Sequence, residues 1–199
     1  MMTEREKMLA GKLYSTGDPE LKKRHERAIR LAYRYNKTDP SSEKKREKLI
    51  RQLFPNAGKE LRIESGVQAD YGENTYFGDR CFMNYNAVIL DCAPIRIGND
   101  FMAGPNVQIV TPVHPLVASE RRVQEYPEGL CDREYAKPIE IGNDVWLASG
   151  VIVTGGSRIG DRCVIGAGSV VMGEIPAGYF AAGTPAKPIR LITDKDKVG

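Results

Sequence analysis

From Ile141 to Pro176 the chain counts in sixes: IGNDVW LASGVI VTGGSR IGDRCV IGAGSV VMGEIP. Every block opens on an aliphatic residue, namely Ile141, Leu147, Val153, Ile159, Ile165 and Val171. With about a quarter of positions aliphatic in ordinary composition, such a run arises by chance roughly once in several thousand registers. The fifth positions, Val145, Val151, Ser157, Cys163, Ser169 and Ile175, are all small or aliphatic, whereas the third and fourth favour Gly, Asn, Asp and Arg. This is the pattern of a hexapeptide β-helix.

Physically, such a chain winds into a triangular prism with one hexapeptide to each flat side. First-position side chains stack inside as columns, and small fifth-position residues fit where the interior narrows. Gly and Asn let the backbone turn each corner at positive φ. Three blocks make one coil, so this stretch supplies two, and successive coils pair as parallel strands about 4.8 Å apart.

Upstream the signals change. Thr3-Glu4-Arg5-Glu6 reads as a capping box opening a short helix that stops near Gly11. Asp18 caps a second helix with Pro19 at its first position, and Leu21, His25, Ala28, Ala32 and Tyr35 mark its apolar side to about Asn36. Ser41 or Ser42 caps a third, through Leu49, Ile50 and Leu53 to Pro55. Residues 1–58 are therefore expected to form a helical cap, and 59–192 a hexapeptide β-helix. Ile63, Val67, Phe77, Cys81, Met83, Ala87 and Ile89 fit first and fifth positions of an irregular early series. The register slips by two at Pro94-Ile95 and resumes at Ile97. The repeat stops altogether across an extended loop, 114–138, and a long loop interrupting a solenoid is usually functional or disordered. The segment AGYFAAGTPAKPIRLI leaves the repeat, Ala186 to Ile192 are expected to close the solenoid as a strand or turn, and 193–199 is a charged tail.

Charge is uneven along the 199 residues. Residues 1–60 carry 16 Lys and Arg against 9 Asp and Glu, and the remainder 13 against 17. Acids interspersed among the bases, with no recognised binding motif, make the N-terminal segment a solvated helical face rather than a nucleic-acid surface. No run is long and apolar enough for a membrane span, and the N-terminus lacks the apolar core of a signal peptide, so a cytoplasmic protein is expected. Four cysteines, at 81, 92, 131 and 163, show no C-x-x-C spacing and read as reduced core residues, with no metal site expected.

His114 is one of two histidines and stands where the rigid coil gives way to the loop. Imidazole is the side chain best suited to accept a proton near neutral pH. Its surroundings, AGPNVQIVTPVHP at 103–115, resemble the A-P-N-V-x-x-x-x-x-x-H-P segment of the galactoside and maltose O-acetyltransferase family of hexapeptide enzymes. MTEREKMLAGKLY, DYGENTYFGD, KPIEIGNDVW, IGAGSVV and AAGTPAKPIR extend the resemblance over almost the whole chain.

The resemblance implies a left-handed winding and transfer of acetyl from acetyl-CoA, a co-substrate rather than a resident cofactor, to a hydroxyl of a sugar or related small acceptor. It assigns His114 as general base and Ser149 as the oxyanion donor. Acceptor contacts map to Asp70, Phe82, Asn84 and Cys92, with another near Thr16. Asp70 and Asp91 are each candidate acceptors of hydroxyl hydrogens or turn braces, and Asp18 is a partial substitute for the acid that Thr16 replaces. Donor contacts map to Ser149, Ala167, Met172, Gly173, Lys187 and Arg190. Thr16 and Cys92 stand where the galactoside enzyme carries acids, and Met172-Gly173 replaces a common Thr-Lys. Glu134, in a loop segment that resembles a recurring one in the family, is a candidate to orient the His114 imidazole. The family further implies a homotrimer with sites between neighbouring prisms. A zinc-dependent anhydrase on the same prism would need a set of histidine ligands, which two histidines, one in a helix, do not supply. A non-enzymatic scaffold or interaction module is the alternative of a different class.

Overall fold

The computed structural model describes residues 2–199. Three helices open the chain: α1, Glu4–Leu9; α2, Pro19–Asn36; and α3, Glu43–Leu53. The Thr3/Glu6 capping box is formed in full, and Asp18 accepts from the backbone N–H of Leu21 at the start of α2. At α3 the residue at the cap is Ser42, which makes no side-chain cap bond, and the Ser41 hydroxyl turns to Asp39 instead. Ala28, Leu31, Ala32 and Tyr35 of α2 and Leu49, Ile50 and Leu53 of α3 are buried against the first coils, in one cluster with the β-helix core. No described helix is long and apolar enough to cross a membrane.

The body of the molecule is a parallel β-helix with three faces. Face I carries the strands Arg62–Ile63, Phe82–Met83, Met102–Ala103, Trp146–Leu147, Val164–Ile165 and Tyr179–Gly183, and the antiparallel strand Ala186–Leu191 closes its end. Face II runs from Gln68–Ala69 through Val88–Leu90, Gln108–Val110 and Ile152–Thr154 to Val170–Val171. Face III runs from Thr75–Phe77 through Ile95–Ile97, Ile139–Ile141 and Arg158–Ile159 to Glu174–Ile175. Inward residues stack in columns as the repeat requires. Ile63, Met83, Ala103, Leu147, Ile165 and Ala181 line up under face I, and all are buried. Cys81 and Cys163 fill fifth positions of that core, and all four cysteines are free and buried.

The corner between faces I and II is uniform. Ala69 follows Ile63, Ile89 follows Met83, Val153 follows Leu147 and Val171 follows Ile165, always six residues on. Asn86, Asn106, Gly150 and Gly168 stand there with φ of 59°, 60°, 69° and 68°. The corner between faces III and I is equally regular and is laced by a ladder in which Asn99, Asn143 and Asp161 side chains accept from the backbone of the coil above.

Every departure from period six falls at the corner between faces II and III. Ala69 to Phe77 and Ile89 to Ile97 are eight residues, and Ile109 to Ile141 spans the long loop. The expected slip at Pro94 thus has a twin one coil earlier. At the far end Ile175 lies four residues after Val171 and pairs with Ile159, so it occupies a first-position column rather than a fifth position. The loop is not irregular throughout. Gln124–Tyr126 and Gly129–Cys131 form a hairpin, and Arg133–Ala136 is the central strand of a small sheet flanked by Pro112–Val113 and by Tyr14–Ser15 from the N-terminal segment.

Candidate active site

His114 follows the strand Pro112–Val113, which pairs antiparallel with Arg133–Ala136 so that Val113 faces Tyr135. Across the other edge of that strand Tyr14 faces Glu134 and Ser15 faces Arg133. Side chains alternate along an extended segment, so Asp132 and Glu134 share a side, and both reach His114. Asp132 Oδ2 lies 3.6 Å from Nδ1 and Glu134 Oε2 lies 3.5 Å from Nε2, ion-pair separations longer than a hydrogen bond. Each carboxylate is anchored by a hydroxyl of the N-terminal segment. Tyr14 donates to Glu134 Oε1, and Thr16 donates to Asp132 Oδ1 at 2.5 Å. The imidazole is 44% exposed while Glu134 is 12% exposed, so an open base is backed by a nearly enclosed acid.

Glu134 also forms part of the wall of a cavity of about 260 Å³ between α2 and the irregular corner. Thr16, Asp70 and Cys92 line it too, together with Lys22, His25 and Tyr71. His25 Nδ1 lies 2.9 Å from the Asp70 carbonyl oxygen and 3.6 Å from its carboxylate, and the Cys92 thiol lies 3.4 Å from the other Asp70 oxygen. Burial pushes the Asp70 carboxyl up to about 6, against the pull of His25 and Cys92. Burial also raises Cys92 and Tyr14, and the neighbouring carboxylates add to it, so both stay protonated donors at working pH. Larger grooves lie between α3 and the first coil and along the arginine-rich side of α2, but neither includes His114 or its carboxylates.

One expected acceptor contact, Asp91, is corrected. Asp91 is fully buried, and its two oxygens accept from Tyr71 N, Gly72 N, Asn74 N and Thr75 Oγ1. It braces the eight-residue corner and presents nothing to the cavity. Burial raises its carboxyl while these donors pull the other way. Asp18 Oδ1 accepts at the cap of α2, and the residue does not line the cavity. Thr16 lines the cavity, and its hydroxyl, which donates to Asp132, keeps its capacity to accept.

The remaining candidates divide between two corners. Ser149 and Ala167 stack at the uniform corner between faces I and II, with Asn84 one position earlier in the register, beyond the end of Phe82 and Trp146 on face I. Met172 and Gly173 sit at the irregular corner, on the His114 side. Gly173 has φ of 100° with open space where a side chain would start, so backbone conformation and not crowding fixes glycine there. Lys187 and Arg190 lie on the closing strand of face I, and Arg190 pairs with Asp196 at 2.7 Å.

Residues absent from the sequence reading are Tyr14, Lys22, Tyr71 and Asp132, and His25 there was only a helix residue. Asp132 and Glu134 two apart on an extended segment, and Lys22 and His25 three apart beside Leu21 on α2, were local signals available in the sequence. Tyr14 gave none, because its role depends on a pairing 120 residues away.

Comparison with known proteins agrees with this architecture. Residues 7–58 match the maltose acetyltransferase hexapeptide capping motif, and residues 138–173 match the bacterial transferase hexapeptide of six repeats. The galactoside O-acetyltransferase of Escherichia coli K12 is 38% identical over 196 residues, 98% of this chain and 92% of the relative. A maltose O-acetyltransferase from Clostridium difficile 630 superposes with a TM-score of 0.90 at 42% identity, over 97% of this chain and 99% of that one. Galactoside acetyltransferase in complex with coenzyme A gives 0.90 at 36% identity, over 98% and 94%. A capped prism of this kind, with a histidine between carboxylates where the coil opens into a loop, is a hexapeptide-repeat acyltransferase with the left-handed β-helix of that class. More narrowly, the chain belongs to the galactoside and maltose O-acetyltransferase family, and it is an acetyltransferase.

Proposed function

We propose that this protein transfers acetyl from acetyl-CoA to a hydroxyl of a sugar or similar polyol, with His114 as general base, at sites formed between neighbouring protomers of a homotrimer. The observation that carries the chemistry is the placement of the His114 ring, half exposed and held between Asp132 and Glu134, beside a cavity lined by hydrogen-bonding groups. With Asp132 closing in from 3.6 Å to accept from Nδ1–H, the lone pair on Nε2 is left for the incoming hydroxyl. His114 takes that proton as the oxygen attacks the thioester carbonyl. The tetrahedral oxyanion then collapses, the C–S bond breaks, and the CoA thiolate recovers the proton from the imidazolium. General-base assistance supplies about 10²–10⁴-fold and positioning much of the rest.

The two corners support a second copy of the chain at each site. Ser149 and His114 stand at opposite ends of face II, some 15–20 Å apart at about 3.3 Å per extended residue, so one chain does not bring both to one carbonyl carbon. The outward side chains of face II, Val88, Leu90, Gln108, Val110, Ile152, Thr154 and Val170, are uncharged, whereas face III presents Arg96, Glu140, Arg158 and Glu174. Turning face II towards a three-fold axis sets the uniform corner of one prism against the irregular corner of the next. Ser149 then serves the His114 of its neighbour as oxyanion donor. Leu116, Val117, Val123 and Leu130 of the loop, all exposed in the single chain, cover Met102 and Trp146 on the adjoining face I. Lys187 and Arg190 supply cations for the nucleotide phosphates, with Arg190 giving up Asp196 to do so.

The test is His114→Ala assayed by thiol release from acetyl-CoA over a sugar panel. A loss of about 10²-fold or more is expected, with circular dichroism and melting unchanged because His114 contributes to no core column. A variant keeping over about a tenth of the activity is incompatible with the general-base role.

A further inference from the structure

The N-terminal strand is keyed into the base. Tyr14 is 1% exposed, packed in a small core with Met8, Leu21, Tyr71, Cys92 and Ala136. Its backbone pairs with Glu134 and its hydroxyl donates to Oε1 of the same residue. The other carboxylate oxygen stops 3.5 Å from Nε2 of His114. Charge-assisted N–H···O bonds close to about 2.7–2.9 Å, so a shift of under an ångström would seal the ring nitrogen against the carboxylate. We propose that Tyr14 is a positioning residue for the base: by holding Oε1 of Glu134, its hydroxyl keeps the carboxylate from closing on Nε2 and leaves that nitrogen free for the acceptor proton.

The inference rests on His114 being the base, and the charges around it make the contest specific. Asp132 faces Nδ1 and Glu134 faces Nε2, both from the loop strand. Behind them stand Thr16 and Tyr14 from the N-terminal strand. Beyond Glu134 are Cys92 and Asp70 from the coil, and Lys22 and His25 from α2. Arg133 turns away and stacks on Tyr126 at 4.0 Å. With no guanidinium turned towards it from Arg133, the buried hydroxyl of Tyr14 and the Cys92 thiol, 3.7 Å away, are what hold Oε1. A carboxylate freed to contact the ring favours the imidazolium, which is the protonation state that cannot act as a base.

Tyr14→Phe keeps the ring in its core and removes only the hydroxyl. The expected result is an acid limb of kcat/KM displaced upward by about one pH unit, measured with maltose or a methyl galactoside as probe acceptor. The loss is up to about tenfold near pH 6 and none near pH 9, with the acetyl-CoA KM unchanged. The chain has two histidines, so an NMR titration of the imidazoles, assigned with His25→Gln, reads the same shift at His114 without catalysis. In Tyr14→Phe/Glu134→Gln the shift disappears, and limb and titration match Glu134→Gln alone. An unchanged His114 titration in Tyr14→Phe overturns the proposal, as does a shift that persists in the double variant. Should Tyr14→Phe fail to fold, Glu134→Gln decides: an unmoved His114 titration there overturns it equally. Retained activity in His114→Ala would sink the base assignment itself, and the NMR titration separates that failure from this one.

Discussion

The two corners that bound face II are built from the same repeat and do opposite work. At the corner shared with face I the step is six residues in every coil, with Asn86, Asn106, Gly150 and Gly168 stacked at positive φ. At the corner shared with face III the step is eight, eight, a long loop, six and then four. Asp70, Cys92 and His114 all follow face II at this second corner, in successive coils. Insertions here leave the aliphatic columns intact, because the extra residues bulge outward while Ile95, Ile97 and Ile139 stay in the core. A solenoid can therefore vary one edge without paying in core packing, provided that the swollen corner satisfies its own backbone. Asp91 and Thr111 do that, the first through four donors and the second by accepting from Ala93 N while donating to Leu90 O.

The largest effect that would break this comparison concerns catalysis. If the two corners meet only between protomers, His114→Ala and Ser149→Ala, each defective alone, should complement one another. On the proposed assembly, co-expressed chains would form mixed trimers in which one interface joins an intact His114 to an intact Ser149. Recovery of acetyl transfer well above either parent is expected, and no recovery from trimers proven mixed by mass would mean that each chain carries its own complete site.

Stability offers a smaller contrast. Asp91→Ala leaves three buried backbone N–H groups without an acceptor, at a cost of about 1–3 kcal/mol each, offset by the charge no longer desolvated. A net loss of about 3 kcal/mol is expected in urea unfolding. Asn106→Ala at the uniform corner removes a residue tolerant of positive φ and one exposed contact, in which Asn106 Oδ1 accepts from Asn86 Nδ2 at 3.2 Å, and should cost about 1 kcal/mol. Equal losses would contradict the view that the irregular corner depends on a buried bracket and the regular one on backbone preference.

The smallest effect sharpens the donor side of the irregular corner. Met172 is 63% exposed in an ordinary backbone conformation, so Met172→Lys can return a cation without strain. It should lower the acetyl-CoA KM by a few-fold, about 0.5–1 kcal/mol for an exposed ion pair, with turnover unchanged. Gly173→Lys should gain less because its φ of 100° penalises any side chain. A KM indifferent to both would place the phosphates away from this corner.

Much of this molecule was written locally. The spacing of Ile141, Leu147, Val153, Ile159 and Ile165 determined columns and therefore a prism, since no other path buries one residue in six on a straight line. Thr3, Asp18 and Pro19 determined two helix starts, because capping is settled within four residues. The segment around His114, with its family resemblance, was enough to single out the candidate base. Tertiary structure alone decided which carboxylates reach that base. Tyr14, Thr16, Asp132 and Glu134 are brought together by antiparallel pairing across some 120 residues, and no local propensity encodes which strand of a long loop an N-terminal segment will choose. It also decided that Asp91, one residue from Cys92, is a buried bracket and not a sugar contact. Neighbours in an extended segment point to opposite sides, and which side is the interior depends on how many residues the corner has inserted.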